Sequence, residues 1–142
     1  MTLHPNTVLA RGWLGTPYQH QASLKHVGCD CLGLIRGVWR ERFGAEPETP
    51  PAYSPDWAEA GLEESLAHAG RRHLIEVQPH LFDEGDVLLF RWKAHLPAKH
   101  AGFATGRRSM IHAQEGARVS EVALSAWWLS RLAFAFRFPD AI

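Results

Sequence analysis

Beyond residue 85 the apolar residues of this chain stop recurring at helical spacing and gather in short runs, and that change of period limits the folds open to it. "DVLLFRW", "HAGFATG", "RSMIHAQ" and "RVSEVAL" are short apolar-rich runs divided by turn residues. They predict an antiparallel sheet, because side chains on a strand alternate between its two faces. "SAWWLSR" reads as a short helix and "LAFAFRF" as a closing strand. Upstream, the spacing is helical. Residues 5–12 predict a short helix, with Gly15 and Pro17 marking a turn after it. From Cys31 to Phe43 an apolar stripe of Leu34, Ile35, Val38 and Trp39 runs opposite Arg36, Arg40 and Glu41, and Gly44 stands at the expected stop. Residues 56–70 predict a further helix, with Ser54 or Asp56 near its start and Gly70 at its end. Helices first and strands later indicate the α+β class.

The chain has 142 residues. That suffices for a single domain, 1–142, whose core needs no staples. Pro47, Pro50, Pro51 and Pro55 make residues 44–57 an extended surface loop, and its Tyr53 and Trp57 could wall a cleft or simply cap the core. Fifteen basic residues balance fifteen acidic ones, which argues against a nucleic-acid partner. No stretch approaches membrane-spanning length, and the start lacks the apolar run of a signal peptide. The expectation is synthesis in the cytoplasm without membrane insertion, where free thiols persist.

Both cysteines fall in "VGCDCLGLIRGVW", one on each side of Asp30. Three chemistries compete for them: a metal clasp with His100 and His112, a 29–31 disulfide, and one reactive thiol beside a bystander. The disulfide closes a very small, strained ring. C-x-C spacing is less usual for structural zinc than C-x-x-C, and a metal would occupy a nucleophile. Asp30 is a good N-cap, which places Cys31 in the first helical turn, where the dipole and unpaired N–H groups favour a thiolate. The aspartate's own charge would oppose this, so its side chain is expected to bond backbone. The competing reading of Cys31 is a small buried apolar residue. Gly33 and Gly37 each cost about 1 kcal/mol against alanine in a helix interior, and their spacing predicts a flat strip packed closely on the sheet.

Nine histidines stand beside these cysteines, and seven are read as surface: His4, His68, His73 and His80, and also His20, His26 and His95, whose alternative is the rim of a cleft. The other two belong to "KHAGFATGRRSMIHAQ". A hairpin with its loop centred on Gly106 sets His100 directly opposite His112, with Gly102 leaving room beside His100 for a helix tip. Facing Cβ atoms lie roughly 4.5–5.5 Å apart, so one imidazole can bond the other. This supplies a base and an orienting partner for a nucleophile. The alternative is a polar cross-strand pair on a half-exposed sheet.

Taken in order, "WLGTPY", "CDCLGLIRGVW", "EGDVLLF", "KHAGFATG" and "MIHA" resemble the NlpC/P60 cysteine peptidases, over roughly residues 10–115. The resemblance implies a papain-like α+β fold with N-terminal helices on an antiparallel sheet. It implies Cys31 as nucleophile, His100 as base, His112 as third polar group, and Tyr18 and Asp30 beside the nucleophile. It further implies no cofactor or metal, and hydrolysis of amide bonds in peptidoglycan stem peptides, commonly between D-γ-glutamate and diaminopimelate. Leu32 stands where the family usually has serine, which bears on how a free peptide amine would be gripped. Cys29 is an addition, read as structural. The compact form is similar to the wall peptidases of phage tails and gene transfer agents, implying tail-hub or tail-tip partners and action in the periplasm or wall of a target cell. A tail-tip or wall-binding relative that no longer turns over is the alternative.

Overall fold

A computed structural model describes residues 2–48 and 64–140. Helix α1 (Pro5–Arg11) is followed by a two-stranded ribbon, β1 (Ser23–Leu24) with β2 (Gly28–Cys29), and then by α2 (Cys31–Phe43). After α3 (Ser65–His73) come β3 (Ile75–Val77), β4 (Val87–Phe90), β5 (His100–Ala104), β6 (Ser109–His112) and β7 (Ser120–Ala123). A short helix α4 (Ala126–Leu129) leads into β8 (Leu132–Arg137). The main sheet has six strands in the order β3-β8-β4-β5-β6-β7, with every neighbouring pair antiparallel. The α+β expectation holds, and the closing strand inserts between β3 and β4 rather than at an edge.

Helix α2 keeps its predicted bounds. The Asp30 side chain accepts from Gly33 N–H at 2.7 Å, and Gly44 ends the helix with φ 89°. Only glycine adopts that backbone readily. Leu34 and Val38 are fully buried, in one cluster with Ala101, Phe103, Ile111 and Phe136 of the sheet. Arg36 and Arg40 are not merely solvated: both reach Glu46, at 2.6 and 3.2 Å. Among the expected surface histidines, His4 caps α1 by accepting from Asn6 N–H at 3.0 Å.

Three expectations change. Gly33 and Gly37 do not face the sheet: a Cβ on Gly33 would meet Ala22 O, and one on Gly37 the Trp13 indole. The glycine strip docks the N-terminal segment instead, leaving the leucine and valine face for the sheet. Gly70 does not end its helix, which runs on to His73; a Cβ there would stand 2.8 Å from the Phe136 ring. The hairpin register is shifted by two, with His112 opposite Gly102, so the loop centres on Arg107. Tyr53, Trp57 and the Ser54 and Asp56 cap candidates lie outside the described residues.

Because Ala22 O is backbone and cannot swing aside, Gly33→Ala should cost about 1–3 kcal/mol of stability, the usual range for overpacking. Urea denaturation checks this; an unchanged midpoint would refute the docking.

Candidate active site

The segment preceding α2 is folded back on itself by backbone hydrogen bonds: Cys29 N–H to Pro17 O at 3.0 Å, Gln19 N–H to Cys29 O at 3.1 Å, and Asp30 N–H to Ala22 O at 3.2 Å. Asp30, only 3% exposed, completes the knot. One carboxylate oxygen takes Gly33 N–H and the other takes Gln21 N–H, at 2.8 Å. The expected backbone bonding of Asp30 is thus present. Gln21 has φ 66°, a strained value for a side-chain-bearing residue, held by this contact. Cys29 is a free cysteine wholly inside the core.

Cys31 opens α2 and reaches the start of β5, where its thiol donates to Lys99 O at 3.6 Å. The backbone N–H groups of Ala101, Leu32 and Cys31 itself favour its anion. Burial and the Asp30 charge outweigh them and push the thiol up to about 12. The expected lowering by the helix dipole is therefore reversed in the free protein. Desolvation acts on the whole charge, whereas the dipole supplies roughly half a charge at the helix end.

His100 and His112 are 4% and 3% exposed. His100 Nε2 lies 2.7 Å from His112 Nδ1. The shift in register leaves them diagonal rather than opposite, on the same sheet face; diagonal neighbours remain within reach of long side chains. Gly102 does not make room for a helix tip. Its open side is filled by Met110 Sδ and His112 Cβ, at 3.0 and 3.1 Å from where a Cβ would stand. Burial holds His100 down at about 3, aided by His112 and the Lys99 charge, and holds His112 at about 4. Both rings are neutral at ordinary pH. Packed around them, Trp128 lies 5.5 Å from the His100 ring and 5.2 Å from that of His112, and Trp92 lies 5.2 Å from His100.

A cavity of about 210 Å³ joins these pieces. Tyr18, Asp30, Cys31 and Leu32 form one wall, and Lys99 and His100 another. Thus Cys31 and His100, from the helix tip and the strand start, open onto the same space, and Tyr18 and Asp30 join them. His112 stands behind His100, outside the lining. His20, read as surface, lines the cavity with Trp92, Gln114 and Glu115. Lys99 and Glu115 were within reach of sequence reasoning, since they border "HAG" and "IHAQ"; nothing local marks Trp92 or Trp128. Burial, followed by the Cys31 and Asp30 charges, raises the Tyr18 hydroxyl to about 12, so it enters the cavity as a neutral donor.

Two outcomes follow from these charge states. The unfolded chain protonates its histidines near 6.5, whereas the folded rings resist until about 3 to 4. Between those values the unfolded state binds more protons, so stability falls as pH drops through the window. Melting temperature should fall from pH 6.5 to 5, with a shallower slope in His112→Gln; equal slopes would refute the buried pair. Separately, Cys31 alkylation by iodoacetamide should keep climbing through the alkaline range. A plateau between pH 4 and 8 would instead reveal a preformed thiolate–imidazolium pair.

Known proteins carry the same arrangement of elements. The NlpC/P60 family model matches residues 15–137. The chain is 26% identical over 132 residues to the Gamma-DL-glutamyl hydrolase of Bacillus subtilis (strain 168), covering 92% of this chain but only 28% of that protein. The NlpC/p60 domain of peptidoglycan hydrolase SagA superposes with a TM-score of 0.67 at 21% identity, covering 94% of this chain and 97% of that one. An NlpC/P60 family protein from Bacillus cereus gives 0.67 at 20% identity, covering 96% and 41%. At these identities the superpositions establish the papain-like NlpC/P60 fold, and the match across residues 15–137 settles descent: the chain belongs to the NlpC/P60 family.

Proposed function

We propose that this domain is a cysteine peptidase that hydrolyses amide bonds in peptidoglycan stem peptides, with the D-γ-glutamyl–diaminopimelate bond as its target. The observation that carries the reading is the shared cavity, with a thiol and a neutral imidazole on adjoining walls. Similarity to a Gamma-DL-glutamyl hydrolase and to a domain of a peptidoglycan hydrolase supports the substrate class.

In this proposal Cys31 attacks the scissile carbonyl while His100 takes the thiol proton. Since both groups are neutral beforehand, proton transfer accompanies attack. With Nε2 engaged by His112, Nδ1 is the His100 nitrogen left for this transfer. His112 fixes the ring and its tautomer. The tetrahedral oxyanion is met by Cys31 N–H and the Tyr18 hydroxyl, each a donor at the cavity wall. His100 then protonates the leaving amine, and water hydrolyses the thioester. Asp30 acts by holding the helix tip, as both its oxygens already bond backbone. Leu32 gives the pocket an apolar wall where the family usually places serine. The proposed setting is a phage-like tail particle, which co-purification with tail-hub proteins tests; recovery only as free chain would remove it.

Mass spectrometry of muropeptides released from purified sacculi tests the chemistry. Wild-type protein should yield fragments ending at D-glutamate, and Cys31→Ala should yield none while keeping its melting temperature. Removal of the base in His100→Ala should cost roughly 10²–10⁴-fold in rate. Undiminished release by Cys31→Ala would end the proposal.

A further inference from the structure

Trp128 touches more of the site than its place on a short surface helix suggests. Its ring lies 5.5 Å from His100 and 5.2 Å from His112, while those two imidazoles are 5.0 Å apart. The three rings form a triangle, with the indole across the joint between the imidazoles. It is nearly parallel to His100 (27°) and edge-on to His112 (85°). Phe90 at 5.0 Å, Trp92 at 5.9 Å and Trp127 at 4.9 Å also pack against the indole, which is half-buried. Both imidazoles are almost fully buried, and a hydrogen bond in such low-dielectric surroundings is stronger than in water and restrains both rings.

The indole is itself held in place. Helix α4 has four residues and cannot rely on its own ladder. Arg131, just beyond it, lies over the Trp127 ring at 3.8 Å and donates to Trp127 O at 3.0 Å. The next anchor ties this end to the sheet: Arg91 N–H donates to Arg131 O at 3.0 Å. Trp127 remains 49% exposed, so of the two adjacent tryptophans it is Trp128 that turns inward.

We propose that Trp128 is a positioning residue for His100: its indole covers the His100–His112 hydrogen bond and holds the His100 ring at the angle that presents Nδ1 to the cavity. The inference rests on the peptidase reading for its kinetic consequence, but not for the contact itself. Other groups that bear on His100 are Cys31 from α2, Lys99 before β5 and His112 from β6, with His20, Asp30 and Glu115 across the cavity. Of these, His112 also touches the Trp128 ring, so the His112 titration is followed beside that of His100.

Histidine-ring NMR titration and steady-state kinetics on a stem peptide, with wild type, Trp128→Ala and Trp128→Phe, separate the possibilities. Trp128→Ala should move the His100 titration up towards the ordinary histidine value and lower kcat about 10- to 100-fold with KM within about twofold, the scale expected for a misplaced base. Trp128→Phe, which retains a ring, should recover most of both. Should Trp128→Ala not fold, Trp128→Leu, too small to span both imidazoles, is read in the same way. An unchanged His100 titration in a folded variant would overturn the inference. So would a loss of stability alone with kcat intact. If wild-type protein cleaves no peptide, the peptidase reading fails while the NMR titration still decides the contact.

Discussion

One buried carboxylate fixes where this chain can do chemistry. Asp30 takes the N–H of Gly33, at the head of α2, and of Gln21, in the loop that the helix leans on. Remove the first and a buried N–H is left without its acceptor, which costs on the order of 1–3 kcal/mol. Asp30 N–H bonds Ala22 O, and that same carbonyl sits where a Gly33 side chain would begin. The helix tip therefore has no freedom to rotate or slide against residues 16–30. Cys31, the next residue along, inherits that position.

From there, placement passes to the sheet. Leu34 and Val38 bury one face of α2 on Ala101 and Phe103, so the helix lies on one side of β5. His100, Gly102 and His112 alternate onto the other side, among Phe90, Met110 and the indole of Trp128. Cys31 and His100 open onto the same cavity, His100 being the first residue of its strand. The arrangement separates two environments: one side of the sheet holds the helix that begins at Cys31, and the other supplies an apolar surround for the two imidazoles.

That dry surround explains the charge states. A helix N-terminus stabilises an anion by about 1 kcal/mol, and somewhat more in partly buried geometries, whereas removal from water disfavours the charged form by several pKa units in fully buried groups. Here burial prevails at Cys31, His100 and His112 alike. All three are neutral at rest.

Much of this was legible along the chain. Asp30 before an apolar stripe ending at Gly44 gave α2 to the residue; short apolar runs between turn residues located β4 to β7, and alternation located β8. Alternation also placed His100 and His112 on one face, because a shift of register by two residues leaves parity intact. It could not choose between direct and diagonal pairing, which depends on the turn at residues 105–108, where Thr105 N–H bonds Ser109 O. Nor could it tell which face the helix covers. The direction of the thiol's pKa and the part played by Trp128 depend on what packs nearby from remote segments, and no local pattern carries that. Sequence alone determined α2, the strands from β4 onward and the family motif; tertiary packing decided register, which helix face meets the sheet, solvent exclusion and charge, since burial is a property of neighbours and not of spacing.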